Sequence, residues 1–298
     1  MSDNLLKFQS RAEMSERCAG IDRGSSRQYS WILLQGDRMP KDSIVKLDEI
    51  RSRCQSCSLF ELCMPMGLAE GDLDKLDKII KRRRPVDKGE YLYRIGDPFV
   101  SVFAVRSGSL KTFTSTRDGR DQIISLHLPG ELMGMDAISS NQHICSAMAL
   151  ETTSVCELPY ERLEALSQEI PGLQHHLLSL MSEEIRHDQC HMTILARLPV
   201  DSRLASFLVN LSERYQARGF SSTEFNLSMS RSDIANLLGM AVETVSRLFT
   251  QFQDQGLLQV ERKHIKILDN SGLQALHNRC GDLGDEEANK DDSSSNAS

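Results

Sequence analysis

The chain has no run of eighteen or more apolar residues, no basic stretch leading into an apolar one near Met1, and no excess of positive charge. The first absence removes a helical membrane span, which needs about twenty apolar residues. The opening Met1-Ser2-Asp3-Asn4 lacks the pattern of a secretory signal, so a cytoplasmic, reducing location is expected. In such a compartment the eight cysteines read as thiols or metal ligands, not as a disulfide framework. The third absence speaks against DNA as a partner only until the charge is localised. The net charge is −7 over 298 residues. Residues 281–298 hold six acids against Lys290, whereas residues 197–268 hold nine Lys/Arg against seven Asp/Glu, a local balance of +2. Whole-chain charge is therefore a poor guide, and any case for DNA must rest on motif.

What is present is enough for two domains, each with its own core. Residues 1–50 form an extension with little periodicity, and residues 51–66 form a cysteine-rich arm. Apolar positions 68, 73, 76, 79 and 80 predict a short amphipathic helix. The basic run Lys81-Arg82-Arg83-Arg84, stopped by Pro85, reads as a solvated helix end, with contact to DNA or a partner as the alternative. Over 86–158 the pattern changes to short apolar segments such as Val102–Val105 and Ile123–Leu126, divided by Gly89, Gly96, Gly108, Gly119 and Gly130. Strands punctuated in this way predict an antiparallel barrel or roll over 67–170. No solenoid repeat is present. The acidic, serine-rich stretch at 271–298 is expected to stay outside any core.

Residues 171–197 are the most helix-like part of the chain. Pro171 suits a first turn and Pro199 ends the run. Leu178, Met181, Ile185, Asp188, Met192 and Leu195 recur at spacings 3-4-3-4-3, the seam of a coiled coil, for which a second copy of the helix is the simplest partner. The alternative is packing on the chain's own roll, and Leu173, Leu177, Leu180 and Ile194 offer a second apolar side for that. Asp188 is out of place. In a symmetric pair it faces its own copy, and two buried carboxylates in contact oppose association.

Two motifs carry chemistry. In 198–270, Ser230 is a good N-cap and Asp233 completes a capping-box-like pair. Gly239 supplies a tight turn between two helices. Val242, Val245, Leu248, Phe249 and Phe252 place the second helix on a core and leave Glu243, Ser246, Arg247 and Thr250 outward. Gly256 ends that helix, and Leu257–Leu268, with Arg262-Lys263 at its centre, fits a hairpin wing. Outward residues near the start of a recognition helix reach base edges: Arg forks onto guanine, Glu accepts from cytosine, and Ser is adaptable. Upstream, Cys54-x2-Cys57-x5-Cys63 offers three thiolates on one arm. An iron–sulfur cluster needs four, and the residues alone leave Cys145 and Cys156 both open as the fourth. Tetrahedral thiolate sites suit zinc equally well.

From about Arg53 to Asp269 the chain resembles the CRP/FNR superfamily of transcription regulators, and within it the FNR branch. The resemblance is carried by Cys54-Gln-Ser-Cys57-Ser-Leu-Phe-Glu-Leu-Cys63, by Ala147-Met-Ala-Leu-Glu-Thr-Thr-Ser-Val-Cys156-Glu-Leu-Pro159, and by Val242-Glu-Thr-Val-Ser-Arg247. It implies an α+β chain with an N-terminal cupin-like β-roll of the cyclic-nucleotide-binding kind, a long dimerisation helix and a C-terminal winged helix-turn-helix. It further implies a 4Fe–4S cluster, one per subunit, held by Cys54, Cys57, Cys63 and Cys156. Oxygen would convert the cluster, separate the homodimer and release DNA of inverted TTGAT-like half-sites, with RNA polymerase as a further partner. Ser58 resembles a position that tunes oxygen access.

Cys18, Cys145, Cys190 and Cys280 then read as free thiols. A cyclic nucleotide is not expected, because the arginine that would fork onto its phosphate is replaced by Cys145 before Ser146-Ala147. Neither is an enzyme, since Cys54-x2-Cys57 lacks the thioredoxin-like βαβ setting that thiol–disulfide chemistry needs. A zinc-stabilised constitutive repressor is the other reading.

Overall fold

In a computed structural model of the protein, the described residues are Cys57, Cys63, residues 70–115 and residues 118–278. The expectations for the extension, for Cys18, Cys54, Ser58 and Cys280, and for the acidic end lie outside them. The elements run in chain order as α1 (Glu70–Ile79), β1 (Lys81–Arg82), β2 (Tyr91–Tyr93), β3 (Ser101–Ser107), β4 (Leu110–Ser115), β5 (Asp121–His127) and β6 (Leu132–Met133). They continue as β7 (Ser146–Ala149), β8 (Ser154–Pro159), α2 (Tyr160–Glu169), α3 (Pro171–Arg197), α4 (Val200–Ala217) and β9 (Glu224–Asn226). The last are α5 (Arg231–Leu237), α6 (Val242–Asp254), β10 (Leu258–Glu261), β11 (His264–Ile267) and α7 (Asn270–Asn278).

The roll is two antiparallel four-stranded sheets, ordered β1-β8-β3-β6 and β2-β7-β4-β5. Strand alternation sends Phe103, Val105 and Val155 of the first sheet and Leu92, Leu110 and Ala147 of the second into one shared interior. The opposite face of the first sheet, with Val102, Ala104 and Leu158, is covered by Leu76 of α1, Leu163 and Leu166 of α2, and Leu173 at the start of α3. Gly108 makes the β3–β4 turn. Its φ is +81°, and a Cβ there would lie 2.5 Å from Thr153 Oγ1, so only glycine fits without movement.

The outer face of the second sheet does not meet water alone. Phe113, Ile123 and Leu126 continue into the same apolar cluster as Leu204, Leu208, Ile234 and Phe252 of the helical region. Polar contacts pin the two together. Lys111 Nζ donates to Asp233 Oδ1 at 2.6 Å, the Ile123 amide donates to Asn236 Oδ1 at 2.6 Å, and Asn236 Nδ2 donates to the Asp121 carbonyl at 2.6 Å. Glu131 accepts from Arg214 Nη2 at 2.7 Å and from Arg218, the first in the last turn of α4 and the second the residue that caps it.

Two expectations need correction. The basic run is not a helix end. Lys81 and Arg82 form β1 and pair with Glu157 and Cys156 of β8, while Arg83 reaches Glu157 at 3.4 Å. The partner strand lies some seventy-five residues away, so local sequence carried no sign of it. Val242 does not join the core either. At the first turn of α6 it is 39% exposed, and the buried face begins at Val245.

Candidate functional site

Cys156 lies on β8 opposite Arg82 of β1 and Ala104 of β3. Its strand neighbour Val155 points into the roll, so Cys156 points outward, where it packs with Cys63 against the cluster made by the first sheet, α1 and α2. Cys57, Cys63 and Cys156 are all half-buried. Partial burial raises the Cys156 pKa, Arg106 and Arg82 draw it back down, and the Cys57 thiol nearby pushes it up. Cys63 and Cys156 thus pack on one side of the roll with Cys57 near enough to act on Cys156, and two guanidinium groups favour the Cys156 thiolate. That donor set fits an iron–sulfur or zinc centre, and Cys54 lies outside the described residues. Among the described residues, no three His, Cys, Asp or Glu side chains are gathered as a metal-binding group.

Cys145 is elsewhere. It is buried in the roll interior, its thiol directed at Asp136 Oδ2 at 3.5 Å, and burial pushes its pKa up to about 12. Such a thiol stays protonated, the opposite of what a metal ligand requires. Cys190 is exposed on α3.

Helix α3 spans Pro171–Arg197, the limits that the two prolines predict. Leu173 is buried, and Leu177 and Leu180 pack on the roll. Of the expected seam, Leu178, Ile185 and Met192 are 58%, 58% and 62% exposed, Asp188 is exposed, and Met181 and Leu195 are half-buried. The two apolar sides of the helix are therefore used differently: one meets its own roll, and on the other Leu178, Ile185 and Met192 stand exposed.

The DNA-reading segment folds as its local signals dictate. Ser230 Oγ accepts from the Asp233 amide at 3.1 Å, and Asp233 Oδ2 accepts from the Ser230 amide at 3.0 Å, a complete capping box. Gly239 takes φ +62° at the turn. On α6, Val245, Leu248, Phe249 and Phe252 are buried, while Glu243, Ser246, Arg247 and Thr250 face outward. The Ser246 hydroxyl is bonded to the Val242 carbonyl at 3.0 Å, which leaves its oxygen as an acceptor for an outside partner. β10 and β11 form the wing, and Arg262 at its tip has φ +58°. Lys263 is less free than expected, since its Nζ donates to the Ser228 carbonyl at 3.0 Å.

Sequence reasoning missed the double duty of Asp233, which caps α5 and also binds Lys111 of the roll. It also missed Glu131 as the partner of Arg214 and Arg218. The i, i+4 spacing of those arginines was visible, but their target 83 and 87 residues away was not.

Residues 202–276 match the model of the Crp-like helix-turn-helix domain, and residues 83–169 match that of the cyclic nucleotide-binding domain. The transcriptional activator protein anr of Pseudomonas aeruginosa is 54% identical over 226 residues, 76% of this chain and 93% of that protein. The chain belongs to the FNR-type branch of the CRP/FNR superfamily. The fumarate and nitrate reduction regulatory protein of Vibrio cholerae is 48% identical over 223 residues, 75% of this chain and 89% of that one. The solved structure of FixK2 from Bradyrhizobium japonicum aligns with a TM-score of 0.62 and 30% identity, over 66% of this chain and 97% of that one. As an FNR-type member, the chain is a DNA-binding transcription regulator of the anaerobic-regulator kind and not an enzyme. No helix among the described residues is long and apolar enough to cross a membrane.

Proposed function

We propose that this FNR-type regulator responds to oxygen. In this reading Cys54, Cys57, Cys63 and Cys156 hold one 4Fe–4S cluster per subunit, the loaded chain pairs along Leu178, Met181, Ile185, Asp188, Met192 and Leu195, and the homodimer binds inverted TTGAT-like half-sites under anaerobic conditions. RNA polymerase is the further partner. The observation that carries the reading is that Cys156 faces outward from the roll and packs with Cys63 near the start of α3, with Cys57 close enough to act on it, while Cys145 is sealed inside. When bound, the cluster supplies an inorganic core that oxygen can dismantle. The chain's own contribution is to shield the thiolates on the Leu76–Leu158–Leu163 face and to hold Leu173 and the first turn of α3 against that same face. Glu243, Ser246 and Arg247 read the bases, because they are the outward residues of the first turns of α6.

Cyclic nucleotides are outside the reading. Cys145 stands where a phosphate would need an arginine, and Glu131 is already held by Arg214 and Arg218. The rival is zinc in the same thiolates. Anaerobic purification followed by an absorption spectrum and an iron, sulfide and zinc count decides between them. A brown protein that bleaches in air is expected, and a colourless protein with stoichiometric zinc would overturn the proposal. Cys57→Ala, Cys63→Ala, Cys54→Ala and Cys156→Ala are each expected to lose iron and DNA binding together, whereas Cys145→Ala and Cys18→Ala keep both. Normal iron in Cys156→Ala would move the fourth ligand elsewhere.

A further inference from the structure

Leu198 and Pro199, both extended, are the whole covalent joint between α3 and α4. On such a joint the DNA-reading head of residues 198–270 would swing unless side chains held it. They hold it at the outer edge of the second sheet. β5 ends that sheet in the order β2-β7-β4-β5, so one row of its backbone groups faces no neighbouring strand. The Asn236 side chain of α5 takes that place. Its Oδ1 accepts from the Ile123 amide and its Nδ2 donates to the Asp121 carbonyl, both at 2.6 Å. One amide group thereby serves two backbone groups that a further strand would otherwise serve. Gln122, between them, donates from Nε2 to the Asn236 carbonyl at 2.9 Å, near the end of α5 where helical partners run out.

A second attachment lies toward the other end of α5. Lys111 Nζ, on β4, is 2.6 Å from Asp233 Oδ1, and the two side chains are only 19% and 18% exposed. The same carboxylate caps α5 through Ser230, so roll and head share one acid. Truncating Lys111 leaves that half-buried acid without its cation. Arg203 braces the joint itself: Nε donates to the Leu198 carbonyl at 2.9 Å and Nη1 to the Leu238 carbonyl at 3.2 Å. The roll therefore grips α5, and Glu243, Ser246 and Arg247 of the next helix are left facing outward.

A head held in this way presents α6 at a fixed place relative to the roll and α3. Two copies paired along α3 then carry their reading helices at one fixed separation. We propose that Asn236 and Lys111 are positioning residues that make the regulator selective for the distance between its two half-sites, an inference that rests on the homodimer reading above. Neither residue reads a base; each acts through the orientation of α5 and, with it, α6. One extra base pair between half-sites moves the second by about 3.4 Å and turns it by about a tenth of a turn. Rigidly held heads do not follow that movement, whereas loosened heads do.

The test is DNA binding by the anaerobically purified full-length chain, followed by fluorescence anisotropy. The duplexes carry inverted TTGAT half-sites at the separation the parent binds best, the same pair one base pair further apart, and a single half-site. Lengthening should weaken the parent on the order of a hundredfold, because only one head then engages at a time. Asn236→Ala and Lys111→Met should each lose less than about tenfold on lengthening, while binding the single half-site as the parent does. Lys111→Arg, which keeps the charge, should behave as the parent. General destabilisation would weaken every duplex alike and leave the ratio between spacings unchanged. Lys111 lies on the roll, so its variant tests the clamp even if Asn236→Ala disturbs α5. The same dependence on spacing in parent and both variants would overturn the proposal and leave the homodimer reading standing. A parent that binds the single half-site as tightly as the inverted pair would overturn that reading, and the proposal with it.

Discussion

Helices α3 and α6 carry similar apolar stripes but meet different fates. On α6 the stripe of Val245, Leu248, Phe249 and Phe252 is wholly enclosed by α4, α5 and the wing. On α3 the side bearing Leu173 and Leu177 is covered, whereas on the other Met181 and Leu195 are half-buried and Leu178, Ile185 and Met192 stand more than half exposed. Burial of a large apolar side chain is worth about 1.5–3 kcal/mol, so three bare ones in register along about four turns leave a substantial driving force unused. A stripe consumed within its own chain builds a domain. A stripe left bare is open to a partner, for which we propose a second copy, and its strength can be tuned by whatever interrupts it.

The sharpest way to break this comparison is to truncate both stripes. Phe252 is fully buried, and Phe252→Ala should cost about 3–5 kcal/mol of folding stability. Met192→Ala should leave thermal unfolding of the cluster-free chain within about 0.5 kcal/mol of the parent, while weakening self-association in anaerobic sedimentation. If Met192→Ala unfolds the chain as Phe252→Ala does, the α3 stripe is packed internally and the seam is elsewhere.

The next effect concerns what the enclosed stripe presents on its outer side. Arg247 is outward on α6, and its fork suits guanine in the major groove. Arg247→Ala should cost about 1–3 kcal/mol on the parent half-site and relax preference at one guanine. Replacing Arg262 on the wing should instead weaken all sequences alike, because phosphate contacts carry no sequence information. A panel of single-base half-site variants separates the two. Uniform loss in Arg247→Ala would make it a phosphate contact.

How much of this was legible beforehand follows from which forces are local. The bounds of α3 were readable because proline acts on its own turn, and the capping box was readable because Ser230 and Asp233 are three residues apart. The choice between Cys145 and Cys156 was not. Both sit in strand-rich sequence, and which one points outward depends on strand register: Cys156 follows the inward Val155, whereas Cys145 enters the roll beside Asp136. Resemblance favoured Cys156 where composition could not. The β1–β8 pairing and the grip of α4 on Glu131 were equally hidden, because each joins segments far apart in the chain.

The smallest expected effect is also the most direct probe of the bare stripe. Asp188 interrupts it, exposed on α3 with Ile185 and Met192 on the same side. In a symmetric parallel pair its carboxylate meets its own copy, and Glu184 one turn earlier adds charge of the same sign. Desolvating such a pair opposes association, so the seam is poised instead of committed. Asp188→Ala removes the repulsion and leaves the helix intact, since alanine is the best helix former. The cluster-free variant should then dimerise at least tenfold more tightly than the parent, about 1.4 kcal/mol, in sedimentation in air. Raised salt, which screens exposed charges, should narrow the gap between parent and variant. If the variant stays monomeric at every concentration tested while Met192→Ala also changes nothing, α3 does not form the interface, and its bare stripe awaits another partner.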